Sequence, residues 1–175
     1  MNTYKALLTI FSPDRVGLIS DVTGFLSGQG INLGDTSFAG LGEGGGLTSL
    51  LEIPEELTES AVTEELRTLA SLEHAEIDIK RLSLPDLELP SRDITHIVLL
   101  DGLDQPGLLA RFTEVISEFG GNIVRLKSEQ VEKGGETHFV TELALYLPPN
   151  RSENCLTALG NTAERLGQFI QHEAI

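Results

Sequence analysis

A segment of twenty residues occurs twice in this chain, ninety positions apart. Residues 14–33 and 104–123 align without a gap and are identical at seven positions. The identical pairs are Asp14/Asp104, Gly17/Gly107, Leu18/Leu108, Thr23/Thr113, Ser27/Ser117, Gly30/Gly120 and Asn32/Asn122. A period of ninety residues is longer than a solenoid repeat, so each copy should belong to a small domain of its own.

The repeat predicts two domains, residues 1–84 and 94–175, joined by a linker at residues 85–93. The linker contains Pro85 and Pro90 and has no apolar periodicity, which favours an extended conformation. Domains this small bury only about 60 % of their unfolded surface and are marginally stable alone. We therefore expect a homodimer or a tight pairing of the two domains through exposed sheet edges.

The chain is acidic, with 27 Asp and Glu against 12 Lys and Arg and a net charge of −15. Proteins that bind DNA phosphates need a basic face, and this sequence has no Lys/Arg cluster. No direct contact with nucleic acid is expected.

The sequence also predicts a cytoplasmic protein with no membrane contact. Its only cysteine, Cys155, excludes an intramolecular disulfide and fits a reducing compartment. No apolar run is long enough to span a bilayer. The first twelve residues read as a strand and not as a signal peptide.

The same order of elements is predicted for each half: strand, helix, strand, strand, helix, strand. Residues 3–11 form a strand-like run, and an apolar stripe at helical spacing follows at Ile19, Val22 and Leu26. The second half repeats this stripe at Leu109, Phe112 and Ile116. The order βαββαβ predicts an α+β, ferredoxin-like fold, with a four-stranded antiparallel sheet and both helices on one face.

With this element order, the chain resembles a tandem of ACT domains, which are ligand-binding modules of amino-acid metabolism. The resemblance depends on Asp-x-x-Gly-Leu followed by Gly-x-Asn, present in both copies. Two copies in one short chain resemble the family of the glycine-cleavage-system transcriptional repressor. The resemblance implies a non-enzymatic, amino-acid-sensing regulator without a cofactor, which modulates a transcription factor by protein contact.

Two other functions stay open. ACT domains also precede the catalytic parts of formyltetrahydrofolate deformylase and some phosphoserine phosphatases, so the chain could be a detached regulatory subunit of such an enzyme. The repeats themselves leave no room for a catalytic domain. A structural dimer without a ligand is the other alternative.

The repeated motif is the candidate ligand site. A helix start has unpaired N–H groups and a partial positive charge, which suit a carboxylate. Glycine permits close approach to the backbone, and asparagine offers a donor and an acceptor for an amino group. The candidate residues are Asp14, Arg15, Val16, Gly17, Leu18 and Asn32, with Asp104, Gln105, Pro106, Gly107, Leu108 and Asn122 in the second copy.

A purely structural interpretation of the motif is also open, in which the aspartates cap helices and the glycine and asparagine serve chain geometry. The two copies differ, because Arg15 and Val16 stand where the second copy has Gln105 and Pro106. Arg15 is expected to attract a carboxylate, and Pro106 to pre-set a first helical turn. The sequence does not decide which copy binds.

Two other patterns are rejected as sites. Residues 40–45 match a dinucleotide-binding fingerprint by letters, but a strand-like run follows where a helix is required, so a hairpin turn is expected. The four histidines are scattered without metal-ligand spacing, so no metal site is expected.

Overall fold

The structure is a computed structural model that describes residues 2–83 and 89–175. The chain divides into two compact units, Met1–Asp86 and Leu87–Ile175. Part of the predicted linker, residues 85–88, lies outside the described residues.

Each unit has the element order that the sequence predicts. The first unit comprises strands β1 (Thr3–Pro13), β2 (Asn32–Leu41), β3 (Gly44–Pro54) and β4 (Glu76–Arg81), helices α1 (Leu18–Gly28) and α2 (Glu59–Leu66), and a 3-10 turn, Ala70–Leu72. The second comprises strands β5 (His96–Leu103), β6 (Asn122–Lys133), β7 (Glu136–Tyr146) and β8 (Phe169–Ala174), and helices α3 (Leu108–Glu118) and α4 (Ser152–Arg165).

Both sheets have four antiparallel strands, in the orders β2-β3-β1-β4 and β6-β7-β5-β8. The predicted α+β fold class with two βαββαβ units is confirmed. In each unit the first helix follows a central strand and runs back along the sheet before the edge strand begins. The start of that helix and the start of the edge strand therefore lie at opposite ends of the sheet.

The core of the first unit follows from the alternation of buried residues in its strands and from the apolar stripe of its first helix. In β1, Ala6, Leu8 and Ile10 are fully buried and alternate with residues that are exposed or only partly buried, because successive side chains of a strand point to opposite faces. The apolar stripe of α1, which includes Val22 and Leu26, packs on this face. The apolar face of α1 and the buried face of the sheet thus form one hydrophobic layer.

The core of the second unit is built in the same way around α3. Phe112 and Ile116 on this helix are 2 % and 1 % exposed. They pack against Val98 of β5 and Leu143 of β7, and against Leu159 of α4. Cys155 of α4 also lies in this core, and burial raises the pKa of its thiol.

The glycine-rich segment forms a hairpin as predicted, but its turn is shorter than expected. Only residues 42 and 43 form the turn, and residues 44–46 belong to β3. The ring of Phe11 covers Gly44, and that of Phe38 covers Gly45: a Cβ at these two glycines would lie 2.5 and 2.8 Å from a ring carbon. The rings occupy the space that side chains at residues 44 and 45 would need. This part of β3 therefore requires glycine.

An ion cluster joins three strands of the second sheet. Asp101 of β5 binds Lys133 of β6, and its Oδ1 lies 2.8 Å from Nδ1 of His138 of β7. The hydrogen bond from Lys133, followed by that from His138, holds the pKa of Asp101 below its ordinary value. The folded state therefore stabilises the charged carboxylate.

This cluster predicts a pH-dependent effect of Asp101→Asn. The stability that the charged Asp101 contributes is fully present above its unfolded pKa of about 3.9 and is lost as pH falls through the lowered folded pKa. The difference in unfolding free energy between wild type and Asp101→Asn, measured with urea, should shrink as the pH is lowered from about 7 towards 2. Asp78→Asn is the control, because Asp78 pairs with Lys80 on the surface and should matter little at any pH. A difference for Asp101→Asn that does not change with pH would contradict the assignment.

Among the described residues, none of the helices has the length and apolar character needed to cross a membrane.

Candidate ligand-binding site

The repeated motif lies where a central strand turns into a helix, between β1 and α1 and between β5 and α3. Gly17 and Gly107 are the N-cap residues, with left-handed φ angles of 93° and 88°. Neither helix has a side-chain cap, so Asp14 and Asp104 do not cap the helices in the way that the structural interpretation supposed. Pro106 precedes the cap residue and lies in the turn, two positions before α3 begins at Leu108, so it does not form the first helical turn that the sequence predicted.

The start of α1 leaves backbone donors free. The first helical bond runs from Asp21 N to Gly17 O, at 2.9 Å. Within the described part of the chain, the N–H groups of Ile19 and Ser20 have no partner. Together with the helix dipole, these donors favour an anion at this position.

Arg15 is held by the chain itself. Its guanidinium donates to Ala70 O at 2.9 Å and to Glu73 O at 3.2 Å. These bonds tie the loop before α1 to the 3-10 turn that follows α2. Arg15 thus has a positioning contact, which differs from the attraction of a ligand carboxylate that the sequence suggested.

Gln105 makes the equivalent contact in the second unit. Its Nε2 donates to Leu166 O at 2.8 Å, just after α4. The side chains at positions 15 and 105 therefore make the same kind of contact, a hydrogen bond to the backbone after the second helix of their unit, although one is charged and the other is neutral.

The two aspartates differ in their surroundings. Asp104 Oδ2 accepts a hydrogen bond from Gln130 Nε2 at 2.6 Å. Among the described residues, the exposed Asp14 carboxylate has neither a hydrogen bond nor an ion pair. Its Oδ1 lies 3.5 Å from where a Cβ of Gly45 would be. The carboxylate is bound internally in the second copy and is open in the first.

Asn32 and Asn122 lie far from the helix start of their own unit. Asn32 pairs with Glu52, which also pairs with Lys5, whereas Pro13 marks the other end of β1. Eight residues of strand separate these ends, or about 26 Å. A ligand at the start of α1 cannot reach the asparagine of the same unit.

Both asparagines also have partners. Asn32 Nδ2 donates to Glu52 Oε2 at 3.2 Å, and Asn122 Nδ2 donates to Ser91 O at 2.8 Å. Asn122 thereby anchors the segment that precedes β5. Their assignment as ligand residues stays a prediction.

Comparison with known proteins agrees with this architecture. Residues 96–146 match the model of the ACT domain. The crystal structure of an unknown protein from Galdieria sulphuraria aligns with a TM-score of 0.74 and 22 % identity over 99 % of both chains. The chain has a tandem ACT-like fold.

A second crystal structure with the same fold is that of a candidate glycine cleavage system transcriptional repressor. It aligns with a TM-score of 0.69 and 17 % identity, over 100 % of this chain and 99 % of the other. No curated protein sequence matches the chain. At these identities the two structures show the shared fold.

The first ACT-like unit exposes apolar side chains around its helix start. Val16 is fully exposed, Ile19 is 41 % exposed and Phe38 is 37 % exposed. Phe38 was not among the residues that the sequence indicated, and neither was Gln130 of the second ACT-like unit. Gln130 donates to Asp104 across the sheet, and the ring of Phe38 covers Gly45 close to Asp14. The sequence carries no signal for the strand register that places them there.

In the described residues, no group of three His, Cys, Asp or Glu side chains could hold a metal ion. The chemistry available at the helix start of the first ACT-like unit is thus a free carboxylate, free backbone N–H groups and an apolar rim.

The left-handed cap predicts opposite effects for two glycines of the first ACT-like unit. Gly17→Ala should destabilise it by about 1–2 kcal/mol because its φ is unfavourable for alanine, although a Cβ there meets nothing within 4 Å. Gly24→Ala, inside α1 and equally uncrowded, should stabilise it by about 0.5–1 kcal/mol. Urea unfolding followed by circular dichroism measures both. Equal effects of the two substitutions would contradict the cap conformation.

Proposed function

We propose that this protein is a regulator that senses a small amino acid through its first ACT-like unit. The observation that carries the proposal is that the turn from β1 into α1 holds both an open carboxylate, Asp14, and the unpaired N–H groups of Ile19 and Ser20. The N–H groups suit the carboxylate of an α-amino acid, and Asp14 suits its ammonium group. Gly17 leaves the backbone accessible, since no side chain stands in front of it.

In this proposal the second unit does not bind the amino acid. Its Asp104 is bound by Gln130, and Gln105 by the backbone of Leu166. A ligand there would have to displace the contact between Asp104 and Gln130 before it could use the carboxylate. The difference between the copies supports one ligand for each chain.

We further propose that the regulation acts by protein contact, on a transcription factor of amino-acid metabolism, with glycine or one-carbon metabolism as the first candidate. The net charge of −15 supports an indirect mechanism, because a direct one needs affinity for DNA phosphates. The tandem ACT-like fold, shared with a candidate glycine cleavage system repressor, supports the choice of pathway.

A homodimer in the cytoplasm is part of the same proposal. Each sheet ends in edge strands, β2 and β4 in one unit and β6 and β8 in the other, and proteins tend to pair or cover such edges. The single buried cysteine fits a reducing compartment.

The direct test is a thermal-shift screen of the wild-type protein against the twenty amino acids and against folates. A small amino acid at about a hundred times its dissociation constant should add roughly 2.7 kcal/mol to the free energy of unfolding, which raises the midpoint by several degrees. If no amino acid stabilises the protein at millimolar concentration, the sensing function is wrong and a structural protein without a ligand is favoured.

A further inference from the structure

A groove with two arginines lies between the helices of the second unit. Arg111 of α3 and Arg165 of α4 both line it, together with Thr162 and Leu166, and its volume is about 360 Å³. All four residues lie within the second unit. The groove is distinct from the helix start of the first unit, where the amino acid is proposed to bind.

The positive charge in this groove is incompletely neutralised. Arg165 donates to Thr162 Oγ1 at 3.3 Å and, among the described residues, has no acidic partner. Arg111 has one, Glu114 Oε2 on its own helix, at 3.5 Å. The charges of Arg111, Arg165 and Glu114 sum to +1, whereas the net charge of the whole chain is −15. Two guanidinium groups that line one groove favour an anion as their common partner.

The start of α3 adds to this field, whereas the end of α4, where Arg165 lies, carries a partial negative charge. Arg111 N makes the first helical bond of α3, to Gly107 O at 3.1 Å, so Arg111 lies in the positively polarised first turn of that helix. At the end of α4, the carbonyl of Leu166 already accepts from Gln105. That carbonyl is therefore occupied by a donor of the chain itself.

The fold does not require the positive charge of Arg111. The repeat places Asp21 of the first unit at the position of Arg111. Asp21 is the acidic residue in the first turn of α1, where a negative charge is favoured. The same helix thus carries opposite charges at the same place in the two copies, and the unfavourable sign is found in the copy with the groove.

We propose that this groove binds a small dianion, either a phosphate monoester or a dicarboxylate. Arginine is suited to both because its planar guanidinium can donate two parallel hydrogen bonds to one phosphate or carboxylate. Leu166 gives the groove an apolar wall for a short carbon chain. Thr162, which is 4 % exposed, positions Arg165 by accepting a hydrogen bond from its guanidinium.

The test uses the full-length chain and two probes, inorganic phosphate and succinate, titrated at constant ionic strength with chloride as the control anion. Wild type should show a saturable rise in its thermal midpoint with at least one probe, and none with chloride. Phosphate alone indicates the monoester, and succinate alone indicates the dicarboxylate. Arg111→Gln and Arg165→Gln should each weaken the binding by about 10- to 100-fold, since a hydrogen bond to a charged group contributes that much.

Arg151→Gln is the matched control, because Arg151 caps the far end of α4 without a side-chain hydrogen bond. It should bind as wild type does. The proposal is overturned if neither probe acts differently from chloride, or if all three variants respond like wild type. Amide chemical-shift mapping on the wild-type protein checks the location without any variant. Phosphate- or succinate-induced shifts should cluster around residues 108–111 and 162–166, and shifts confined to another region would contradict the site.

Discussion

Replacing Phe112 by alanine is expected to lower the free energy of unfolding of the second unit by about 3–5 kcal/mol. The ring is 2 % exposed and packs at the centre of the core between α3 and the sheet. The void beside it has only about 10 Å³ of free volume, so the core is tightly filled around the ring. Removal of the ring therefore costs both its burial and the cavity left behind.

Phe169→Ala is the matched control for this prediction. Phe169 lies in the same unit, on β8, but is 60 % exposed, and its replacement should change the free energy of unfolding by less than about 0.5 kcal/mol. Urea denaturation followed by far-ultraviolet circular dichroism measures both variants. Similar losses for the two phenylalanines would show that α3 does not form the core as described.

The second large effect concerns the ligand. Asp14→Asn is expected to remove most of the roughly 2.7 kcal/mol by which a saturating amino acid stabilises the wild-type protein. The reason is that the open Asp14 carboxylate is the acidic group proposed to bind the ligand's ammonium, and a neutral amide replaces an ion pair by a weaker contact.

Asp104→Asn provides the control from within the same chain. Because Asp104 is already bound by Gln130, its replacement should leave the ligand response unchanged. The comparison uses thermal shifts of the three proteins at the same ligand concentrations. A loss of response in Asp104→Asn, with a normal response in Asp14→Asn, would mean that the second copy is the sensor.

The fold could be predicted from the sequence because strand alternation and helical spacing are patterns of residues that are close together in the chain. The alternation around Leu8 and Ile10 and the helical stripe at Val22 and Leu26 each lie within a dozen residues, and both appear in the structure where the pattern placed them. The repeat then extended the prediction from the first half of the chain to the second.

The candidate site was less predictable because its contacts are not local. Arg15 bonds to Ala70 and Glu73, and Asp104 bonds to Gln130. Such partners depend on strand register and loop packing, which no motif specifies. The separation of Asn32 from the start of α1 has a simpler cause: the helix runs the length of the sheet between them, so residues close together in the motif lie at opposite ends of the unit.

The claim that one copy is open and the other is closed can be measured by the stoichiometry of binding. Isothermal titration calorimetry of the wild-type protein, with the amino acid that stabilises it most, should give one bound ligand for each chain and none for Asp14→Asn. Two equivalent ligands for each chain, or unchanged binding by Asp14→Asn, would contradict the account.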